Sequence, residues 1–206
     1  MLLYYITDRK QLAGGDTPAL LRQIELAAKY GVDYIQLREK DLAAKELEQL
    51  AREAMDRIHT TKTKLIINSR TDIALAVGAH GVHLRSDDVS VGVSRAVCKQ
   101  TGKADMLIGV SCHTIEEVAR AHKDSVDHIL FAPIFSKGAA PGIGLRPLQM
   151  ACAFAAVKPS VPVFALGGIT VENANECIEN GASGAAGIRL FQSETVNETV
   201  ERLRSI

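Results

Sequence analysis

The sequence predicts an α/β protein, a single (β/α)₈ TIM barrel that occupies residues 1–206 as one domain. Three observations carry that prediction. Short apolar, β-branched runs alternate with amphipathic segments eight times from end to end. The strand runs are nearly continuous in apolar residues, as parallel strands covered on both faces must be. No linker, low-complexity tract or shift in composition divides the chain, and eight such units suit a closed barrel more than an open doubly wound sheet. The open sheet is the alternative, although the chain lacks the early G-x-G-x-x-G of its dinucleotide-binding form.

The elements follow in order. LLYYIT (Leu2 to Thr7) is the first strand, and TPALLRQIELAAKYG follows with Leu20, Leu21, Ile24 and Ala27 at helical spacing and Gly31 as C-cap. DYIQLR (Asp33 to Arg38) precedes a second helix in LAAKELEQLAREAMDRI. KLIIN (Lys64 to Asn68), GVHL (Gly81 to Leu84) and MLIGVS (Met106 to Ser111) are the next strands, and TIEEVARAH opens with a capping box from Thr114 to Glu117. HILFAPIF (His128 to Phe135) and VPVFALGG (Val161 to Gly168) lead to TVENANECIENG, capped by Thr170 and ended by Gly181. GAAGI (Gly184 to Ile188) is the last strand, and SETVNETVERLRSI, with Ser193 as N-cap, is the last helix.

Composition narrows the function. Twenty-four Lys and Arg balance twenty-four Asp and Glu, so the basic excess of a nucleic-acid or membrane-surface protein is missing. The opening MLLYYITDRK has no cationic segment ahead of its short apolar run, and no stretch is long enough to span a bilayer. Cys98, Cys112, Cys152 and Cys177 form no C-x-x-C pair. Reduced thiols in a cytoplasmic protein are therefore the expectation.

In a (β/α)₈ barrel the reactive groups stand at the C-terminal strand ends and in the loops that follow. Side chains alternate along a strand, so in YIQLREKD the residues Tyr34, Gln36, Arg38 and Lys40 share one face. Alone, that pattern also describes a solvated edge strand. Asn68, Asp88 and Lys137 join Gln36, Arg38 and Lys40 around the same predicted rim. Three cations with carboxylate and amide groups suit a polyanion accompanied by a hard cation such as Mg²⁺. In FALGGITVEN, Gly167 and Gly168 let backbone N–H groups approach an anion, and loops seven and eight are the common phosphate position in such barrels.

Other residues carry less. His80 and His83 do not converge as a metal pair; His80 is expected to be exposed, and His83 either to reach the barrel interior or to be a satisfied buried histidine. His59, His122 and His128 need no special role, and Asp72 is read as support for the third helix.

YYITD, QLREKD, IINSRTDIALAVGAHGVHL, IGVSCHTIEE, FAPIF and VPVFALGGITVENANECIENGASGAAGI together resemble the family of thiamine-phosphate synthase and its relative, the thiazole tautomerase. The resemblance implies a TIM barrel that joins a hydroxymethylpyrimidine diphosphate to a thiazole phosphate, releases diphosphate with the help of Mg²⁺, and often forms a homodimer. It implies that Tyr4, Gln36 and Asn68 contact the pyrimidine, that Arg38 and Lys40 hold its diphosphate, and that Asp88 binds the metal. Ser111 lies near the reacting centre, Gly168 and Ile188 bind the thiazole phosphate, and Lys137 is the cation of loop six. The catalytic candidates are thus Arg38, Lys40, Ser111 and Lys137. Departures accompany the match: Ser69 stands where the family has a second metal aspartate, Arg85 and Ser86 replace a glycine and glutamine, and Arg189 replaces a serine. The tautomerase, an isomerase, and a non-catalytic phosphate-ligand binder are the alternatives; the tautomerase histidine falls at Pro133.

Overall fold

The computed structural model describes residues 1–136 and 141–206. The strands are β1 (Leu2–Ile6), β2 (Tyr34–Leu37), β3 (Lys64–Asn68), β4 (Gly81–Leu84), β5 (Leu107–Cys112), β6 (His128–Phe131), β7 (Val163–Leu166) and β8 (Gly184–Gly187). Each is followed by a helix: α1 (Thr17–Lys29), α2 (Ala44–Ile58), α3 (Thr71–Val77), α4 (Val91–Gln100), α5 (Ile115–Lys123), α6 (Leu145–Ala155), α7 (Ala174–Glu179) and α8 (Val196–Arg204). The strands pair in sequence order, and β1 also pairs with β8 in parallel, so the predicted barrel closes.

Strand alternation divides the core. Leu3, Tyr5, Ile35, Leu37, Leu65, Ile67, Val82 and Ile108 point outward and meet the apolar faces of the helices, among them Leu20, Ile24, Leu50 and Leu148. Tyr4, Ile6, Leu130, Phe164 and Ala186 point inward. Tyr4 stacks on Tyr34 with ring centroids 5.5 Å apart and meets Phe164 edge-on at 5.2 Å. Tyr34 and Lys64 open their strands, and the Lys64 ammonium sits 5.5 Å over the Tyr34 ring. The aromatic layer therefore forms a floor toward the N-terminal end.

Several boundaries move. The sixth strand ends at Phe131 rather than Phe135, because Pro133 has no N–H for a ladder. Beyond it, Ile134 and Phe135 donate backbone N–H groups to Leu166 and Gly167 carbonyls at 2.9 and 3.0 Å, which keeps loop six alongside β7. The seventh strand shortens to Val163–Leu166, since Gly167 and Gly168 take φ of +96° and +66°. Gly31 follows the last turn of α1 at φ +93°, as expected of a C-cap glycine. Thr114 Oγ1 accepts from the Glu117 N–H at 3.2 Å, but Glu117 reaches back to the N–H of His113 instead of Thr114. Thr170 does not cap α7, because it exchanges bonds with Asn173 in a turn ahead of the helix. Ser193 does not cap α8 either; the helix starts after Thr195, and the Ser193 carbonyl accepts from Gln23.

His128 corrects the sequence reading most. It is 1% exposed inside the barrel, where its Nε2 lies 3.3 Å from the Tyr4 hydroxyl. A Cβ on the neighbouring Gly109 would stand 1.9 Å from that nitrogen, so only glycine leaves room for the ring. His83 is also interior, 2% exposed, with its ring 5.8 Å from that of His128. Burial holds both imidazoles neutral: His128 is pushed down to about 4, and His83 falls well below the ordinary value, helped by the repulsion two protonated rings would feel and by the Arg38 charge.

The unfolded chain takes up these protons near pH 6.5 while the native chain refuses them. Stability is therefore full above that pH and is lost as the pH falls toward about 4. His128 alone should remove on the order of 3 kcal/mol across that window. Denaturant midpoints measured across it should fall steeply for the wild type and less steeply for His128→Gln. Equal slopes would contradict the assignment.

Candidate active site

The segment after β2 is held from behind. Glu39 is 5% exposed, and its carboxylate accepts from the Thr7 hydroxyl at 2.6 Å and from Arg9 Nη1 at 2.9 Å. The Arg9 backbone N–H donates to both of its oxygens, at 3.2 and 3.1 Å. Thr7 Oγ1 in turn accepts from the Arg38 N–H at 2.9 Å. Arg9 also forks onto Asp41 at 2.7 and 2.8 Å, and those bonds hold the Asp41 carboxyl well below the usual range. Residues 38–41 are thus tied to the loop after β1 through their outward side chains.

The alternate side chains face the barrel. Gln36 is 1% exposed, and its Nε2 is buried with no hydrogen-bond partner among the described residues. An orphaned buried donor of this kind calls for a ligand or water acceptor. Arg38 is half-buried and near enough to His83 for its charge to disfavour the imidazolium. Lys40 is exposed and lines a cleft of about 350 Å³ with Asn68, Ser69, Arg70 and Arg85. Neither Arg38 nor Lys40 makes an ion pair among the described residues.

A polar column joins floor to mouth. His83 Nε2 lies 2.8 Å from Ser111 Oγ at the end of β5. His83 Nδ1 is buried without a partner, so the favoured tautomer keeps the proton on Nε2, where it has an acceptor. Ser111 then accepts from His83 and keeps its own proton free to donate. Tyr4, expected to contact the pyrimidine, lies at the foot of this column with no exposed surface.

Across the mouth, Gly167, Gly168, Ile169, Ile188 and Arg189 line a smaller cleft of about 90 Å³. At Gly168 a Cβ would stand 2.8 Å from Phe135 Cβ and 3.0 Å from the Ser136 carbonyl oxygen. Asn173 Nδ2 donates to the Gly168 carbonyl at 3.0 Å, which fixes the turn. Loop seven therefore needs glycine both for its positive φ and for its contact with loop six. Lys137, expected in loop six, lies outside the described residues.

The Mg²⁺ expected on Asp88 meets a different partner. Asp88 Oδ2 accepts from the Arg85 backbone N–H at 2.7 Å, and Oδ1 faces the Arg85 guanidinium at 3.4 Å. Arg85 Nε donates to Ser69 Oγ at 3.2 Å. No cluster of three His, Cys, Asp or Glu side chains suited to a metal occurs among the described residues. With a neutral hydroxyl at Ser69 and the Arg85 guanidinium against both Asp87 and Asp88, this loop presents no carboxylate free of a cationic partner, and the donor set does not fit a Mg²⁺ ion. Arg85 and Glu39 are the mouth residues whose roles sequence reasoning missed, while His83 reaches the barrel interior, one of its two expected placements. A buried-type acid between Arg38 and Lys40 was the only available sign of the first brace.

A closed barrel with free cations, a buried unpaired amide and a glycine-backed cleft at its C-terminal mouth defines a TIM-barrel protein built around an anionic small molecule. The chain belongs to the thiamine monophosphate synthase family, which it matches over residues 3–191. It is 35% identical to a thiamine-phosphate synthase of Caldanaerobacter subterraneus subsp. tengcongensis over 99% of this chain and 92% of that protein. It is 39% identical to a thiamine-phosphate synthase of Clostridium acetobutylicum over 90% and 84%. The solved thiamine phosphate pyrophosphorylase of Pyrococcus furiosus superposes with a TM-score of 0.85 at 29% identity, covering 99% of this chain and 94% of that one.

Gly168→Ala should lower stability by about 1–3 kcal/mol, because it combines a strained φ with a close contact. It should also weaken binding of thiazole phosphate, read as a smaller ligand-induced rise in melting temperature. An unchanged melting temperature and an unchanged ligand shift would together contradict this account of loop seven.

Proposed function

We propose that this protein is a thiamine-phosphate synthase, a transferase that couples hydroxymethylpyrimidine diphosphate to thiazole phosphate and releases diphosphate. One observation carries the proposal beyond family membership. The mouth has two clefts on opposite sides, one lined by Lys40 and Arg85 and the other backed by the glycines of β7 and β8, and both suit an anion. A reaction between two phosphorylated substrates needs two such positions.

In this reading the buried Gln36 amide and Asn68 orient the pyrimidine ring, while Arg38 and Lys40 bind its diphosphate. The C–O bond to diphosphate breaks with its electron pair leaving on oxygen, and the pyrimidine ring stabilises the methylene cation left behind. Loops seven and eight, through Gly168 and Ile188, hold the thiazole phosphate so that the ring nitrogen faces that carbon and forms the new C–N bond. Fixed cations favour the departing charge, and fixed geometry replaces a bimolecular encounter. Ser111, its oxygen occupied by the His83 N–H, can donate its proton to a diphosphate oxygen. Tyr4 serves beneath the site, where it supports His128. Lys137 would add a cation from loop six. No step is routed through Mg²⁺, since the Asp88 surroundings do not fit it.

The setting is read from the same facts. The four cysteines are buried and free, which supports a cytoplasmic protein with reduced thiols. No described helix is long and apolar enough to cross a membrane. Val93 and Val97 are exposed one turn apart on α4, and Val89 is exposed just ahead of it, which supports a homodimer face.

Incubation with both substrates should yield thiamine phosphate and diphosphate. Arg38→Ala should lower turnover on the order of a hundredfold, the effect of losing about 3 kcal/mol of transition-state stabilisation. Its melting temperature should stay close to wild type, because the guanidinium makes no ion pair among the described residues. A wild type that binds thiazole phosphate yet forms no product would favour the tautomerase or binder instead.

A further inference from the structure

We propose that the Arg85 guanidinium does the work of a divalent cation in this cleft, binding the diphosphate directly so that its affinity does not depend on a metal. The inference rests on the synthase reading for the identity of the anion, while the cation itself is argued from the geometry.

Arg85 follows β4, and its side chain crosses to Ser69 after β3, so it occupies the space between the two loops. It touches Ser69 Oγ at 3.2 Å, Asp87 Oδ2 at 3.3 Å and Asp88 Oδ1 at 3.4 Å. Other arginines of this chain are held far more tightly: Arg70 grips Asp72 at 2.6 and 2.9 Å, and Arg9 grips Asp41 at 2.7 and 2.8 Å. A guanidinium carries five N–H donors; in Arg85, Nε goes to Ser69 and Nη2 to the two aspartates at distances near the limit of hydrogen bonding, and Nη1 has no partner among the described residues. Its side chain is 43% exposed and shares its cleft with Lys40 and Asn68.

The neighbours fit the same role. Ser69 adopts φ +62°, which turns its hydroxyl toward Arg85, and Asn68 Nδ2 donates to that hydroxyl at 2.9 Å. The Asn68 amide and the Arg85 fork are thereby linked through one oxygen, and both face the cleft. Asp88 is 11% exposed and bonds the Arg85 backbone, so it closes the turn that presents the guanidinium. A carboxylate standing bare beside a diphosphate would repel it; the Arg85 guanidinium lies against both Asp87 and Asp88 and offsets part of their charge. A planar fork also matches two phosphate oxygens at once, a geometry that Lys40 cannot supply.

The test is titration calorimetry with inorganic diphosphate, in EDTA and in excess Mg²⁺, on wild type, Arg85→Ala and Arg85→Gln, with melting temperatures as fold controls. Wild type should bind in EDTA, and Mg²⁺ should change its affinity by less than about threefold, well under the tenfold of one charge-assisted bond. Both variants should lose on the order of tenfold to a hundredfold in EDTA. In Arg85→Ala, adding Ser69→Asp should make diphosphate binding respond to Mg²⁺. If wild type binds only with Mg²⁺, or if both variants bind as tightly as wild type in EDTA, the inference fails. Thiamine phosphate formation read in parallel separates the two claims. Product formed only with Mg²⁺ by a wild type that needs Mg²⁺ to bind leaves the synthase reading standing and overturns this one. Metal-independent, Arg85-dependent binding without product supports this one and overturns the synthase.

Discussion

The buried Glu39 carboxylate is the fixed point on which the mouth depends. It sits between the cations Arg38 and Lys40 and faces Thr7 and both the backbone and guanidinium of Arg9. Breaking such a buried pair leaves an uncompensated charge and costs about 3–5 kcal/mol. That cost is what keeps the segment after β2 in one register with the loop after β1. Strand alternation turns Gln36 inward within β2, and the bond from the Arg38 N–H to Thr7 carries that register one residue past the strand end. The cations remain unpaired because the acids nearby, Glu39 and Asp41, are already taken by Arg9.

The site has a floor as well as walls. Tyr4, Tyr34, Phe164 and His128 fill the N-terminal part of the barrel, and His83 carries the line upward to Ser111. Keeping two imidazoles neutral inside this column costs stability in acid. In return it sets a single tautomer beneath a serine at the mouth. The opposite side relies on backbone alone, where two glycines press loop seven against loop six. A rigid cationic wall facing a cradle of main-chain groups is a sensible division of labour for a reaction in which one anion departs and the other stays.

Much of this was legible in the sequence. Eight apolar runs spaced by amphipathic segments specify a barrel because parallel strands covered on both faces admit little else. The period of two in YIQLREKD put Gln36 and Arg38 on one face, which the structure turns toward the barrel interior. What stayed hidden depends on distant partners. Nothing local says that Glu39 will meet Arg9, thirty residues away in the chain, or that His128, at the start of a strand, finds space only because Gly109 lacks a side chain. Thr170 and Ser193 have the right chemistry for helix caps, yet tertiary contacts set those helix starts later. Arg85 was visible only as a departure from a familiar pattern. Its position between Ser69 and Asp88 makes that departure a coherent change of cation.

The central claim is that two anions bind on opposite sides of one barrel mouth. A crystal structure of the protein with inorganic diphosphate and thiazole phosphate tests it most directly. The account predicts diphosphate density against Arg38, Lys40 and Arg85, and separate monophosphate density on the backbone of Gly168 and Ile188. Both anions in one cleft, or either at the N-terminal end of the barrel, would contradict it.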